Sequence, residues 1–578
     1  NFTYDIFSVS GQGVSGMFRP YRNDFIKVND PAYTTKDASN YSIGVEVGVG
    51  AYARGGSDLN VVQTFAKYEP WPSAVLNLIK PTKNHVGSLF EKVYYKNAGE
   101  LTESNTDLYD KIGKDRPIMF QVNTSEVTGN IFIDKNRSFY PMDVPKYDLE
   151  RLPRTNALQL LSAGECEKIY SNGIKSYSGK FYAGSLSIDY IPRVDEVNRK
   201  NHHIGEISQI NDNGEIYTFG IPAYNLLKEE VSYSINATTK DAKYKGDRVE
   251  YSNSQASLSN DQGKDNFYKS TTTPAYAHSY LLTSKQSSDY QDLTGDGISK
   301  DDIGNAYQFN YTRKSSAYKW RIPIKGVNFM EGFKSDKLDQ KASFTYGVKE
   351  QWYLHTIESK NEVAEFYISP RSDAKGVSSR VGELGKEPGD YSYRLDSIAL
   401  YNKYDRLKNK GNATPIKRIH FSYTYELCND TENSNYGKLT LKEIRVLNGK
   451  SSRGGLSPYK FFYPTNKESG NFEYNPSRMD RWGNYKEAHE KTINAEFPYC
   501  NQDKSKSDLW ASAWSLDSIV LPSGGSIKIE YESDDYAYVQ DKTAMNMNQV
   551  VKVGKTNKFE QGGTSLYENN FLFIKNPN

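Results

Sequence analysis

The sequence feature that most constrains this chain is a hairpin pattern close to its C-terminal end. Residues 516–521 form an apolar strand pattern, residues 522–525 read Pro-Ser-Gly-Gly, and residues 526–531 alternate strictly between polar and apolar side chains. Period-two alternation on the far side of such a turn is typical of a β-hairpin. The pattern predicts two antiparallel strands joined by a tight turn.

Related patterns recur upstream, each with Leu-x-x-Ile in a strand, a turn or loop, and then an aromatic strand. The two best copies share Leu-Asp-Ser-Ile-x-Leu, at residues 395–400 and 516–521. The four units begin at Leu354, Leu395, Leu441 and Leu516, and a weaker fifth spans 204–219. Repeated hairpins that stack on their neighbours bury a continuous core that no single hairpin could bury.

The composition agrees with this pattern. The 578 residues include 46 tyrosines and 43 glycines, which favour strands and turns. Helical patterns are short, and the best of them span residues 71–80 and 147–162. We therefore predict an all-β fold of repeated antiparallel hairpins that form extended or wrapped sheets, with a few short helices.

Three regions are expected from the change in composition along the chain. Residues 1–231 are β-rich, residues 232–306 are rich in Ser, Thr, Asn, Asp and Lys, and residues 307–578 carry most of the hairpin repeats. Polar segments with few aliphatic residues are typical of loops. The middle region is therefore predicted to be a linker or insertion.

Charge and hydropathy exclude several classes of protein. The formal net charge is +2 without a dense basic run, which gives no basis for a nucleic-acid partner. No apolar run approaches the roughly 18 residues that a membrane helix needs, so no transmembrane segment is expected. Three widely spaced cysteines, Cys166, Cys428 and Cys500, predict neither a disulfide framework nor a cysteine metal site.

No catalytic motif stands out. Residues 11–16 match the glycine spacing of a dinucleotide fingerprint, but Pro20 prevents the helix that would hold the pyrophosphate. The histidines form no His-Glu-x-x-His motif, and no Gly-x-Ser-x-Gly elbow is present. We therefore predict no enzymatic activity and no catalytic residues, although a pair of unrecognised hydrolase carboxylates stays open.

One loop carries the pattern of a calcium site. Hard cations prefer clustered oxygen ligands at alternate positions of a glycine-containing loop. The predicted ligands are Asp292, Thr294, Asp296 and the carbonyl of Ile298, with Asp301 or Asp302 closing the site. The twelfth position, where an EF-hand has glutamate, is Ile303, so the loop is not a standard EF-hand. An Asp/Gly turn without metal is the alternative.

A second motif separates the last two repeats. Residues 480–485 read Asp-Arg-Trp-Gly-Asn-Tyr. Together with the hairpins, this element resembles the Rhs/YD-repeat proteins, including the β-rich shell components of Tc-type insecticidal toxins. The matching residues are Asp480, Gly483 and Asn484 in this element and Leu516, Ile519, Pro522, Gly524, Gly525, Ile529 and Tyr531 in the hairpin. The spacing of the repeats is less regular than in that family, and the Tyr-Asp signature is degenerate.

The resemblance is strongest over residues 345–578. Within this family, the chain is most similar to the long, Tyr-rich surface proteins of Bacteroidota. It implies a non-catalytic scaffold fragment of a large secreted or cell-surface protein, on the outer-membrane exterior of a Gram-negative bacterium. Such a fragment would form a shell around another segment, or display it, with protein partners in the same chain or a surface complex. A β module that binds a surface glycan or an outer-membrane partner is the alternative. The absence of an initial Met and the strand pattern at 571–574 suggest a piece of a longer protein.

Overall fold

The computed structural model is mostly β-sheet, which confirms the predicted all-β class. It describes residues 6–11, 14–22, 32–49, 53–70, 79–81, 95–97, 118–123, 128–133, 139–140, 158–534 with gaps of which 237–240, 331–338, 464–471 and 487–503 are the longest, 538–539, 542–543, 549–554 and 571–575.

The strands are given in chain order. The first fifteen are β1 Phe7–Gly11, β2 Val14–Phe18, β3 Pro20–Arg22, β4 Ala32–Val49, β5 Ala53–Pro70, β6 Ile79–Pro81, β7 Tyr95–Asn97, β8 Ile118–Asn123, β9 Thr128–Ile133, β10 Phe139–Tyr140, β11 Leu158–Ser162, β12 Ile174–Ser178, β13 Ser187–Ile191, β14 Ile204–Ile210 and β15 Ile216–Ser234. The others are β16 Arg248–Val249, β17 Tyr268–Gln286, β18 Ala306–Ile322, β19 Val327–Met330, β20 Lys341–Glu358, β21 Glu362–Lys375, β22 Tyr391–Asn402, β23 Lys417–Leu427, β24 Lys438–Asn448, β25 Tyr459–Phe462, β26 Ser518–Val520, β27 Ser526–Lys528, β28 Tyr538–Val539, β29 Lys542–Thr543, β30 Gln549–Gly554 and β31 Phe571–Lys575.

Helices are short in the described part of the chain. The α-helices are α1 Ala163–Ile169, α2 Lys403–Asn409 and α3 Lys504–Ala511, and single 3₁₀ turns occur at Pro388–Asp390, Lys410–Asn412 and Arg453–Leu456. The chain divides into two compact units. The first comprises Asn1–Glu426 and Asp430–Pro458, and the second comprises Leu427–Asn429 and Tyr459–Asn578.

An antiparallel sheet of long strands organises the first unit. Strand β15 pairs with β14 and β17, and its second half also pairs with β20. Strand β20 pairs along its length with β18, and its last residues pair with β21. The strand order continues through β22, β23 and β24. These strands of 17 to 19 residues therefore change partners along their length, and the sheet stays continuous across these changes.

The largest apolar core of the first unit lies where β15 and β20 pair. Val231 lies opposite Phe344, and Tyr233 lies opposite Ala342, so all four side chains occupy the same face. All four are at most 2% exposed. Each large apolar side chain buried in this way contributes about 1.5–3 kcal/mol. Tyr251, Ile324 and Val348 pack against the same cluster.

The segment 232–306, predicted to be a linker or insertion, contains one of the longest strands in the structure. Strand β17 pairs with β15 from Tyr268 to Gln286. Its threonines 271–273 are β-branched and pair along a sheet as well as aliphatic residues do. A polar composition was therefore a poor guide here, because a strand within a large sheet needs backbone partners more than it needs aliphatic side chains.

The predicted helix at 147–162 is wrong for residues 158–162, the part of it that the structure describes. Residues 158–162 form β11, which pairs antiparallel with β14 and buries Leu160 and Ser162 at period two. Helix α1 begins only after Ser162, whose hydroxyl accepts from the Glu165 amide while the Glu165 carboxylate accepts from the Ser162 amide. This capping box fixes the start of the helix. In the predicted helix at 71–80, residues 71–78 lie outside the described residues, and Ile79 and Lys80 belong to β6.

Several predicted hairpins are confirmed. The repeat units beginning at Leu354 and Leu395 form the β20–β21 and β22–β23 hairpins. The Asn-Gly turn at 213–214 joins β14 to β15, with Gly214 at φ +77° in the left-handed region that favours glycine. In the glycine-rich stretch 11–16, Gly11 ends β1 and Val14 begins β2, which pair antiparallel, and residues 12 and 13 lie outside the described residues.

The second unit contains the hairpin from which the repeat was recognised. Strands β26 and β27 pair antiparallel, with Ile519 opposite Ile527, and β25 pairs with the other edge of β26. Gly524 adopts φ +87° in the turn. The strands are only three residues long, so this hairpin is shorter than the alternation from 516 to 531 predicted. In the Asp-Arg-Trp-Gly-Asn-Tyr element, residues 480–482 lie outside the described residues.

Candidate functional site

The predicted calcium loop connects β17 to β18 in the first unit. Its base is closed by backbone hydrogen bonds from the Ser287 amide to the Asn305 carbonyl, at 2.8 Å, and between Gln291 and Ile303, at 3.1 Å in both directions. The loop therefore projects from a hairpin whose two strands are part of the main sheet.

Three of the predicted ligands converge within this loop. Carboxylate oxygens of Asp292, Asp296 and Asp302 lie within 4.8 Å of one another. Asp292 accepts from the amides of Gly295, at 2.7 Å, and Gly297, at 2.9 Å. Both glycines have positive φ, +72° and +89°, which lets the chain curl around the Asp292 carboxylate.

Asp302 is the buried member of the cluster, at 5% exposure. Its Oδ2 accepts from the Ser299 amide and from the Tyr290 hydroxyl, both at 2.7 Å. These two hydrogen bonds hold the pKa of the Asp302 carboxyl below its usual range, because they favour the charged form. The sequence left Asp301 and Asp302 as alternatives, and the structure places Asp302 with Asp292 and Asp296.

The other predicted ligands make contacts of their own. The Thr294 hydroxyl donates to Asp296 Oδ1 at 2.9 Å, and the Ile298 carbonyl accepts from Gln308 Nε2 at 3.2 Å. Asp301 accepts from the Ser299 hydroxyl at 2.5 Å. Ca²⁺ takes six to eight oxygen ligands and prefers carboxylates, and three carboxylates converge in this loop. Calcium binding at this loop stays a prediction.

We expect Asp296→Asn to weaken Ca²⁺ binding by at least about tenfold, because it removes one of three charges from the ligand set without changing its shape. Isothermal titration calorimetry of the wild-type chain is expected to give one site, with a Kd on the order of 10⁻⁵ to 10⁻³ M. Asp301→Asn removes the other candidate for the closing position and should weaken binding less than Asp296→Asn does. Equal binding by wild type and Asp296→Asn, or no binding by wild type, would contradict the predicted site.

A cavity of about 550 Å³ lies elsewhere in the first unit, between the β1–β2 hairpin and the main sheet. Its walls combine apolar and aromatic side chains with serine, histidine and glutamine side chains. They include Phe7, Phe18, Leu158, Ile204, Phe219 and Tyr280. Gln209 also lines it, and the Gln209 Oε1 atom has no hydrogen-bond donor among the described residues although it is shielded from solvent. His203, at the same wall, is paired with the Tyr224 hydroxyl at 3.1 Å.

Sequence reasoning missed this cavity. Its lining comes from residues 6–10, 18 and 158, from five residues between 203 and 219, and from residues 276–280, which are far apart in the chain. None of these stretches has a motif with fixed spacing. Only the strand pairings of β11, β14, β15 and β17 bring them together.

A buried carboxylate on β14 was also missed. Glu206 is 6% exposed, and its Oε1 accepts from the Tyr170 hydroxyl at 3.0 Å. Burial raises the pKa of Glu206, while the Tyr170 hydrogen bond and the Arg193 charge lower it. Burial next to Glu206 also raises the pKa of the Cys166 thiol to about 12, which makes this cysteine a poor nucleophile.

Glu206→Gln is expected to stabilise the protein above neutral pH by on the order of 1 kcal/mol, because it keeps an acceptor for Tyr170 and removes a buried charge. A folded-state pKa above the unfolded value means that the folded state binds the proton more tightly. The stability of the wild type relative to Glu206→Gln should therefore fall as pH rises from the unfolded pKa, about 4.5, through the raised folded pKa. Urea unfolding of both proteins at pH 4 to 9 measures this difference, and a difference that does not change with pH would contradict the assignment.

Comparisons with protein-family models, curated proteins and solved structures each find no match for this chain. Within the described residues, no helix is long and apolar enough to cross a membrane.

Proposed function

We propose that this chain is a non-catalytic scaffold fragment of a large secreted or cell-surface protein similar to the Rhs/YD-repeat proteins. In this role it encloses or displays another segment, which is its main protein partner. The observation that supports the proposal best is the arrangement of consecutive repeat hairpins as neighbouring strands of one antiparallel sheet in the first unit.

The pairing between the first two repeats is more extensive than the pairing within either of them. Strand β21 ends the first repeat, and β22 begins the second. They pair from Glu362 opposite Asn402 to Lys375 opposite Tyr391. Each hairpin therefore provides the edge on which the next one forms. A sheet built in this way grows by one strand pair per repeat and can form an extended wall, which is the architecture that a shell or display scaffold requires.

A buried ion pair stabilises this wall where a helix interrupts the second repeat. Arg406 on α2 donates to both carboxylate oxygens of Glu365 on β21, at 2.5 and 3.0 Å. The guanidinium also lies over the Tyr401 ring, with Cζ 4.2 Å from the centroid. Helix α2 interrupts the second repeat, and this pair holds it against the strand before the repeat. The insertion is thus accommodated without breaking the order of strands.

Limited proteolysis of the intact protein tests the proposal. We expect a segment outside residues 1–578 to resist cleavage while the sheet is folded and to become cleavable when Glu365→Ala loosens the wall around it. The matched control is Glu230→Ala, which removes a carboxylate from a solvent-exposed ion pair with Lys228 on β15. If every segment outside the sheet is cleaved equally in the wild type, Glu365→Ala and Glu230→Ala, the sheet encloses nothing. That result would reject the enclosing role.

The cavity beside the β1–β2 hairpin supports a second function, a β module that binds a surface glycan or an outer-membrane partner. Phe7, Phe18 and Phe219 line this cavity, and aromatic rings are suited to stack on the apolar face of a sugar ring. Many other aromatic side chains are buried in the cores, so the abundance of tyrosine is no evidence for binding. The binding function is supported by the cavity alone.

A glycan array tests the binding function. Phe7 lines the cavity, and its ring stacks on Phe18 with centroids 5.5 Å apart. Phe7→Ala removes this ring and should abolish binding if a sugar stacks there. Met17→Ala is the control on the same hairpin, since Met17 is 79% exposed and does not line the cavity. No bound glycan for the wild type, or equal loss in both variants, would reject glycan binding at this cavity.

A further inference from the structure

Arg321 differs from the other deeply buried arginines. Four arginines are only 2–3% exposed: Arg199, Arg248, Arg321 and Arg406. Three of them pair with carboxylates: Arg199 with Glu350 at 2.8 Å, Arg248 with Glu432 at 2.7 Å and Arg406 with Glu365 at 2.5 Å. Arg321 has no carboxylate partner in the part of the chain that the structure describes. A buried charge without a counter-ion is strongly unfavourable, so this exception needs an explanation.

Backbone carbonyls and aromatic rings surround the Arg321 guanidinium. Its Nε donates to the Arg380 carbonyl at 2.8 Å, and its Nη1 donates to the Gly326 carbonyl at 2.6 Å. Its Cζ lies 4.7 Å from the centroid of the Phe344 ring and 5.4 Å from that of Tyr251. These contacts satisfy two of its nitrogens but bring no negative charge. Its Nη2 is shielded from solvent and has no acceptor among the described residues.

Two more donors in this cluster also lack partners. Tyr233 is fully buried, and its hydroxyl has no hydrogen-bond partner among the described residues; nor does Arg380 Nε. Tyr233 lies opposite Ala342, on the same face as Phe344, and Arg380 Cζ is 5.3 Å from the Phe344 centroid. Tyr233 is close enough to Arg321 and Arg380 for both charges to act on its hydroxyl. Buried polar groups normally have partners, so three neighbouring unpaired donors indicate a missing acceptor.

The charges distinguish an anion from water as that acceptor. Arg380 pairs with Glu229 at 3.2 Å, and Glu432, the carboxylate whose charge reaches Arg321, pairs with Arg248 at 2.7 Å, so the remaining net charge comes from Arg321. A water molecule would accept hydrogen bonds but leave that charge uncompensated. A monatomic anion would accept the hydrogen bonds and also compensate the charge of Arg321. A phosphate or sulfate would bring more acceptor oxygens into the core than the three free donors can satisfy.

We propose that Arg321, Tyr233 and Arg380 form an internal binding site for a single chloride-sized anion, with Arg321 Nη2 as its main donor. The anion takes the place that Glu350, Glu432 and Glu365 take beside the other buried arginines. It is a structural ion of the first unit, and its binding is independent of the scaffold role proposed above.

Thermal unfolding at constant ionic strength tests the site, with sodium chloride replaced stepwise by sodium gluconate, whose anion is too large for it. With 0.1 M chloride at about ten times the Kd, the folding equilibrium shifts about elevenfold, and Tm of a unit of this size rises by roughly 1–2 °C. Arg321→Met should abolish this difference, and Tyr233→Phe, which keeps the packing, should reduce it. Arg199→Met is the matched control, because it removes an equally buried arginine that has a carboxylate; it should keep the full difference.

Equal Tm values for the wild type in the two salts, or an unchanged chloride effect in Tyr233→Phe and Arg321→Met, would overturn the proposal. Crystals grown in sodium bromide provide the direct measurement. We expect an anomalous peak at hydrogen-bond distance from Arg321 Nη2. A water molecule in that position without anomalous signal would overturn the proposal as well.

Discussion

Glu350→Gln is expected to lower the free energy of unfolding by about 3–5 kcal/mol, since it leaves buried positive charge without its counter-ion. Glu350 lies on β20 and is 5% exposed. Its Oε1 accepts from Arg199 Nη2 at 2.8 Å and from Arg313 Nη1 at 3.1 Å. Its Oε2 accepts from the Tyr224 amide at 3.2 Å, which ties the cluster to β15. Glutamine keeps the shape, so the loss measures the charge.

Urea denaturation followed by circular dichroism measures this loss. The matched control is Glu230→Gln on β15, which removes the carboxylate charge from the exposed pair with Lys228 and should cost about 0–1 kcal/mol. If Glu350→Gln is no less stable than Glu230→Gln, the buried cluster does not hold β15, β18 and β20 together, and the energetic account of the sheet is wrong.

Phe344→Ala is expected to destabilise the first unit by about 3–5 kcal/mol, because it opens a cavity in the largest core cluster. Phe344 is 2% exposed, lies opposite Val231, and meets the Tyr251 ring edge-on at 5.4 Å and 88°. Its ring also lies under the guanidiniums of Arg321 and Arg380. The substitution therefore removes apolar contacts and cation–π contacts together.

The control for this variant is Ile322→Ala on the neighbouring β18. Ile322 is 61% exposed, so its truncation should change the free energy of unfolding by about 0.5 kcal/mol or less. Both are measured by the same urea titration. A loss of under about 1 kcal/mol for Phe344→Ala would mean that this cluster is not the core that stabilises the sheet.

The fold was predictable where the signal is local. Alternation, together with an Asn-Gly or Pro-Ser-Gly-Gly turn, located the hairpins at 204–220 and 514–531, because turn chemistry and strand period are properties of adjacent residues. The same reasoning failed at β17, whose polar composition concealed a long strand with partners on β15. It also failed at β11, where the leucines fitted a helix but pair at period two with β14.

The sites divide in the same way. The Asp292 loop was located from spacing alone, since its carboxylates are close in sequence. The choice of Asp302 over Asp301 required Tyr290 and the folded loop. The cavity and the Arg321 cluster depend on residues up to a few hundred positions apart, so only the strand register reveals them. Sequence alone also could not show that Arg321 is buried without a carboxylate.

Electron microscopy of the intact protein tests the scaffold proposal most directly. The proposal predicts a density map in which the repeat strands are part of a continuous sheet wall next to a second, enclosed or displayed segment. A thiol-directed label on a Tyr436→Cys variant, at a position where the side chain is exposed, would identify the repeat region in the map. A map of separate globular domains joined by linkers, with no continuous wall and no second segment against it, would contradict the proposal.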